Sequence, residues 1–375
     1  MIECTNTMHR SLSSNPQRDG FWMPGEFEPH AGTWMLWPER PDNWRRRALP
    51  AQQAFASVAA AIARFEPVTV GVSARQYARA RAALPAGSVR VVELSGDDAW
   101  MRDTGPSFVV NAAGDLRGVQ WQFNAWGGLY SDVRLDNQVA QKVLELTHCE
   151  RYVAPFVNEG GAIHVDGQGT VMVTEQCLLN RNRNPRLGRS QIEKLLLRYL
   201  GASRIIWLGE GVVDDETGGH IDNLACFARP GEVCLTWCDD PRDPQHRVSR
   251  NAFDRLMAAR DARGRRLRVH KLTSPGPLYM TRREAAGIVS DSDIRPLRAG
   301  TRLAASYANF YFANGALILP LLDARTDAQV RRELRRIFPR RRIVGVPARE
   351  VLLGGGDLHC ITQQQPSSRK RQAPL

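Results

Sequence analysis

Five polar, glycine-containing clusters recur along the chain beside strand-like apolar runs: "DDAWMRDTGP", "NEGGAIHVDG", "DETGGHIDN", "SYANFYFANG" and "GGGDLHC". With Asp103, Glu159, His220 and Cys360 as markers, successive gaps are 56, 61 and 140 residues, the last about two repeats long. Such even spacing suggests one supersecondary element repeated, each copy offering a loop or strand end to a shared centre. Gly- and Asp-rich turns are common in any protein, so spacing by itself leaves coincidence open.

Between the clusters, apolar runs alternate with helical stretches. "PVTVGVSA" and "VRVVEL" bracket "RQYARARAALP"; "GTVMVTEQCLL" precedes "SQIEKLLLRYLG" and "RIIWLGEG" follows it; "RRIVGVP" follows "DAQVRRELRRIF". This is an α/β pattern. No GxGxxG follows a strand and no GxxxxGK[ST] occurs, so nucleotide-binding folds lose their usual anchor. At 375 residues, 43% hydrophobic and 24% charged, the chain can bury a sizeable core. No apolar run approaches the roughly 18 residues of a membrane span. The polar "MIECTNTMHRSLSSNPQRDG" has no apolar core of a secretion signal, and seven cysteines without CxxC spacing suit a reducing cytoplasm. A cytoplasmic location is therefore expected, with residues 1–19 and the polar tail loose.

The net charge of +12 raises the question of nucleic acid. Only 4 of the 51 basic residues are Lys, however, so the excess is an arginine bias of the whole sequence. In the densest run, "RRELRRIFPRRRI", Val330, Leu334 and Phe338 mark an apolar stripe just before and within it. Its arginines then form one solvated face, and no nucleic-acid or membrane partner is expected.

Side chains at i and i+2 of an extended segment share a face, whereas neighbours do not. In "GGHID" this places His220 with Asp222. The same rule turns His359 away from Cys360, toward packing or a backbone partner. His220 is therefore the expected partner of Cys360, brought close by folding. A lone Cys is more often a small buried hydrophobe than a nucleophile. Here it has company: glycines before it, the His/Asp pair, and the acids of "NEGG" and "MRDTGP". A metal hydrolase competes, because "HVD" (His164, Asp166) and "HID" (His220, Asp222) are same-face pairs of a kind that suits Zn or Mn. No HExxH accompanies them.

Acids beside a thiol disfavour the thiolate, so the cluster makes sense if the ligand brings positive charge. A planar guanidinium presents a fork of N–H donors that matches carboxylates, leaving its central carbon open to sulfur face-on. The cation itself then favours the thiolate.

These residues carry a family resemblance. From about Gly20 to Pro366 the chain resembles agmatine deiminase, of the guanidine-modifying superfamily and the bacterial peptidyl-arginine deiminase type. The motifs that carry it are "DGFWMPGEFEPH", "WMLWPERPDNWR", "DDAWMRDTGP", "FNAWGG", "EGGAIHVDG", "NRNRNP", "PGPLYMT" and "GGGDLHCITQQQP". The resemblance implies a five-bladed α/β-propeller (pentein) of pseudo-repeated ββαβ units around a central site. It implies one domain over 20–366 and a basic tail over 367–375. It makes Cys360 the nucleophile, His220 the general acid/base, Asp103 and Asp222 the guanidinium-holding carboxylates, and Glu159 the acid beside the leaving or entering nitrogen. Trp100 becomes a wall of the substrate slot and Glu216 the candidate for the far ammonium. The implied reaction is hydrolysis of agmatine to N-carbamoylputrescine and ammonia through a Cys thiouronium, with no metal or organic cofactor. A homo-oligomer is in keeping with the family. Peptidyl-arginine or free arginine is the alternative substrate, and a basic binding protein on the same fold the alternative class. The chain departs from the family pattern at Asp357, where Asn is usual, at Gly218, where a polar residue is usual, and in a shortened loop over 127–137. Asp357 is expected to add negative charge near Cys360.

Overall fold

Four times along the chain an antiparallel strand pair is followed by a helix and a strand that returns parallel to the second of the pair. A computed structural model describes residues 11–289 and 298–367. The first such unit pairs Ser107–Asn111 with Leu116–Gln122, crosses over through helix Asp136–Leu146, and returns as Arg151–Val157. The second uses His164–Val165, Thr170–Thr174, helix Arg189–Leu200 and Arg204–Leu208. The third uses Ala225–Arg229, Glu232–Trp237, helix Pro244–Ala258 and Arg268–Thr273. The fourth uses Tyr311–Ala313, Ala316–Leu321, helix Asp327–Ile337 and Arg342–Pro347.

A fifth unit is assembled from both ends of the described chain. Gln363–Pro366 runs antiparallel to His30–Leu36, helix Leu49–Ile62 follows, and Val68–Val72 returns parallel, with Val89–Glu93 added outside. The protein is thus a mixed α/β fold with five sheets among the described residues. The C-terminal strand lies against an N-terminal one, so Cys360, three residues before that strand, is anchored to the start of the chain.

The helices cover the sheets because their apolar positions fall on one side. Arg189–Leu200 buries Ile192, Leu196 and Leu200 and stops at Gly201, which is left-handed at φ 60°. Asp327–Ile337 buries Val330, Leu334 and Ile337, with Phe338 buried at its end, while Arg332, Arg335 and Arg336 are exposed. The arginine-rich run is a solvated helix face, as its spacing predicts. Strands such as Thr170–Thr174 are buried at every residue, as expected where sheet and helix enclose both faces. Each fully buried Val, Leu, Ile or Phe contributes roughly 1.5–3 kcal/mol.

One expectation is corrected. Ser11–Leu12 forms a short parallel pairing with Arg151 and Tyr152, and Phe21–Trp22 pairs with Val110 and Asn111. Asp19 accepts from the hydroxyl of Tyr152 at 2.8 Å and pairs with Arg117. Residues 11–19 are therefore tied down by backbone pairing and an ion pair that composition does not announce. Residues 1–10 and 368–375, also expected to be loose, lie outside the described residues.

Candidate active site

In each unit the first strand is preceded by a short turn, and these turns carry the polar clusters. Asp103 lies in Met101–Thr104 ahead of Ser107, and Glu159 leads Gly160–Ala162 ahead of His164. His220 and Asp222 flank the start of Ile221–Leu224 ahead of Ala225, Asn309 precedes Tyr311, and Cys360 precedes Gln363. Asn309 falls within the long gap, 89 residues after His220 and 51 before Cys360, so each cluster marks the start of one unit although the units differ in length.

The turns converge on Gly161. A β-carbon there would lie 2.5 Å from His220 Nδ1 and 2.9 Å from both Asp103 Oδ1 and Asp222 Oδ2. Asp103 is aimed by two donors: Gly161 N–H to Oδ1 and Trp126 Nε1–H to Oδ2, each at 2.9 Å. Trp126 reaches it from a tight "AWGG" turn in which Ala125 and Trp126 are both left-handed, at φ 54° and 51°. Non-glycine residues held there store strain, which the surrounding contacts must overcome. Burial pushes the Asp103 carboxyl up to about 6; Asp222 and Glu159 push the same way, and His220 opposes them.

His220 stands between two acids, its Nδ1 3.9 Å from Asp103 and its Nε2 3.8 Å from Glu159. Both distances exceed a hydrogen bond, and both buried nitrogens lack a hydrogen-bond partner. Burial opposes its charge, but Asp103, Cys177 and Glu159 outweigh burial and hold the imidazole well above its usual pKa. The backbone of His220 is fixed by Asp215, whose Oδ2 accepts its N–H at 3.0 Å. His220 and Asp222 are therefore set by a helical turn and its cap, not by the strand alternation that their spacing suggested.

Glu159 is fully buried and gripped by Arg183, whose Nε lies 3.0 and 3.1 Å from its two oxygens. Burial pushes this carboxyl up, but Arg183 and His220 outweigh it and keep it below the usual range. Arg183 also donates to the carbonyl of Thr217 and packs against Gly218. At φ 81°, with a guanidinium nitrogen 3.3 Å from where a β-carbon would stand, position 218 suits glycine.

The Cys360 thiol is buried, 3.6 Å from Asp222 Oδ2, and receives an N–H from Asn309 at 3.3 Å. No hydrogen bond joins it to His220; the two meet around Asp103 and Asp222, which face both. Burial, then Asp222 and Asp103, push the thiol well above its ordinary pKa. His359 does turn away from the thiol, but to carboxylates rather than to packing or backbone: it contacts Asp222 and Glu26. Asp357 is fully buried, and burial, with Asp222 nearby, pushes its carboxyl well above the usual carboxylate range, against the negative charge expected there.

A cleft opens onto Cys360 and Asp103, with Trp100, Trp126, Tyr130 and Glu216 among its walls. Trp100 is held by Asp98, which accepts from its Nε1 at 2.9 Å and from Trp44 Nε1 at 2.6 Å. Glu216 comes within 3.2 Å of where a β-carbon on Gly355 would stand, so the glycines before Cys360 leave room for that acid.

The chain matches the family model described as Porphyromonas-type peptidyl-arginine deiminase over residues 22–366. The chain belongs to this family. It is 55% identical over 362 residues to an agmatine deiminase of Stutzerimonas stutzeri, covering 95% of this chain and 98% of that one. It is also 55% identical to one from Pseudomonas aeruginosa, covering 96% and 99%. In structure it resembles the agmatine deiminase of Enterococcus faecalis, with TM-score 0.93, 45% identity and coverage of 96% and 99%. The substrate-bound agmatine deiminase of C. jejuni is similar at TM-score 0.81 and 26% identity, covering 93% and 97%.

Within this deiminase-family chain, the two "HxD" pairs part company. Asp166 is spent on its own turn, accepting from Gln168 N, Thr170 N and Thr170 Oγ1. It is not available beside His164 as the metal reading required. Two groups of possible metal ligands do form among the described residues: Glu26, His164 and His359, and Glu159, Cys177 and His220. In each, the carboxylate is already paired with an arginine, Arg102 or Arg183. Sequence reading missed Asn309, Trp126, Arg183, Asp98, Glu26 and Arg102. Asn309 alone had a signal, since its cluster "SYANFYFANG" filled the vacant repeat.

Proposed function

We propose that the protein hydrolyses agmatine to N-carbamoylputrescine and ammonia, with Cys360 as nucleophile. The observation that carries this reading is a thiol, an imidazole and three carboxylates brought by four turns around one buried point. Asp103 and Asp222 clamp the guanidinium, and its charge offsets their repulsion and draws the thiol toward the thiolate. The thiol gives its proton to solvent, and the sulfur bonds to the guanidinium carbon. The C–N bond breaks as His220, whose charged form Asp103 and Glu159 favour against burial, protonates the departing ammonia. Water then adds to the thiouronium, giving one proton to His220, and its second proton passes to the departing sulfur as the C–S bond breaks and the carbonyl forms. Dividing one hard substitution between two steps is the use of covalent catalysis. Glu159, held anionic by Arg183, stabilises the imidazolium and faces the nitrogen that leaves and the water that enters. Glu216 and Trp100 line the path to the distal ammonium. The five sheets act as blades of one α/β-propeller over 20–366, their leading turns meeting at its centre.

Agmatine suits the cleft better than arginine does. Among the described residues lining it, Arg40 is the only cation, and its Nε is held by Asp42 at 2.9 and 3.1 Å while the guanidinium lies 4.3 Å over Tyr130. A substrate carboxylate would meet Asp98 and Glu216 instead of a free cation. Ammonia release from agmatine, arginine and an arginyl peptide, measured side by side, tests this: agmatine is expected to give the largest kcat/KM. Equal or greater turnover of either alternative removes the assignment.

The clamp also sets a pH dependence. Asp103 is anionic above about 6 and neutral below, so the clamp weakens as pH falls through that value. The acid limb of kcat/KM, which reports the free enzyme, is expected near 6, with the limb of kcat lower because bound cation favours the carboxylate. Coincident limbs would show that Asp103 does not hold the substrate.

A further inference from the structure

Behind Asp222 lies a buried layer that the reaction above does not use. Asp222 Oδ2 lies 2.9 Å from His359 Nδ1, and His359 Nε2 lies 2.9 and 2.8 Å from the two oxygens of Glu26. Arg102 Nη1 donates to Glu26 at 3.1 Å and to Gln364 Oε1 at 2.9 Å, while its Nε donates to the carbonyl of His359 at 3.3 Å. All of these side chains are buried. A ring with a carboxylate on each nitrogen is doubly protonated, since both nitrogens must donate. The result is a chain of alternating charge, Arg102, Glu26, His359, Asp222, ending at the nucleophile.

The two oxygens of Asp222 have different fates. Oδ2 is shared by His359 and the thiol, whereas buried Oδ1 has no hydrogen-bond partner. A carboxylate free to turn about its own bond would exchange the two. We propose that Glu26 and His359 are positioning residues that lock Asp222, fixing Oδ2 beside the thiol and aiming Oδ1 at the planar cation. This rests on the guanidine reading of the site. The direction of titration agrees: burial pushes Asp222 up, but the bond from His359 and the charges of His359, His220 and Arg102 outweigh it.

Two variants of His359 separate aim from bulk. In His359→Asn the amide nitrogen falls near the place of Nδ1 and can still reach Asp222; in His359→Gln it falls near Nε2 and reaches only Glu26. The readout is the alkylation rate of Cys360, located by mass spectrometry, with chloroacetamidine, a planar cation, divided by that with neutral chloroacetamide. In both reactions the sulfur displaces chloride and the thiol proton passes to solvent. The cation is expected to be favoured in the wild type. His359→Gln is expected to lower that ratio about tenfold, a coupling typical of one hydrogen-bonded network. His359→Asn should retain most of the preference, and in an Asp222→Asn background neither change should alter the ratio further. An unchanged ratio in His359→Gln, or an equal fall with Asp222→Asn already present, overturns the proposal. Should His359→Gln fail to fold, Glu26→Gln is read the same way, with a smaller fall expected and no fall overturning it. Agmatine turnover on the same samples keeps the two readings apart. A ratio that collapses in His359→Gln, when the wild type does not turn over agmatine, supports the relay and removes the agmatine assignment. Turnover by the wild type with an unchanged ratio and KM in His359→Gln removes the relay alone.

Discussion

Cys360→Ala is expected to lower ammonia release from agmatine by at least about 10³-fold while the protein stays folded and still binds substrate. Without sulfur there is no carbon–sulfur bond to form, and the carboxylates and His220 can only hold the cation. The thiol is buried beside Asp222 and Asn309, so its loss leaves a small gap costing about 1 kcal/mol. Asp103 keeps both of its donors, because neither comes from residue 360. Calorimetry should therefore still detect agmatine binding, and thermal melting should show one cooperative transition near that of the wild type. Near-normal turnover by the folded variant would remove Cys360 as nucleophile. Lost binding together with lost turnover would place its role in the clamp instead. The raised pKa of the thiol makes the experiment more informative, since the ligand-free protein holds it protonated and the substrate's own charge must draw the proton off.

The recurrence of polar clusters was legible because a repeated fold repeats its length. Units of similar size put their leading turns at similar intervals, so Asp103, Glu159 and His220 are nearly evenly spaced before any contact is known, while the longer unit before Asn309 breaks the rhythm. Cys360 was legible as a candidate from the glycines beside it. Strand alternation was the wrong tool at the site, because Met101–Thr104, Gly160–Ala162 and Ile221–Leu224 are single helical turns. It still grouped His220 with Asp222, for a reason that does not hold, and it paired His164 with an Asp166 that serves its own turn.

Three of the residues that were missed, Glu26, Arg102 and Arg183, share one physical character: they act on the site through another group. Glu26 lies far from Cys360 in sequence and reaches it only through His359 and Asp222. Arg183 matters because Glu159 is fully buried, and burial is a property of the assembled turns that no local pattern carries. Among 47 arginines nothing in "NRNRNP" marks one as the partner of an acid more than twenty positions earlier. Removing one member of such a buried pair typically costs about 3–5 kcal/mol, so these positions bear on the fold as well as on the chemistry.

The smallest residue of the site gives the sharpest test of its geometry. Gly161→Ala is expected to reduce kcat/KM for agmatine on the order of 10²-fold, because displacement of reacting groups by about 1 Å can cost that much. The new methyl would stand 2.5 Å from His220 Nδ1 and 2.9 Å from an oxygen of each clamping aspartate, so these groups must move apart. Gly161 N–H also aims Asp103, and a shift of the backbone would spoil that bond too. The backbone at 161 is not among the left-handed positions, so alanine is not excluded by φ and the strain falls on the neighbours. Any folding defect would appear in the melting temperature, whereas the predicted lesion is a loss of turnover larger than the loss of stability explains. A crystal structure of the variant should show His220 displaced from the midpoint between Asp103 and Glu159. Activity within a fewfold of the wild type would mean that the three groups need not lie this close, and that the convergence on Gly161 is packing rather than mechanism.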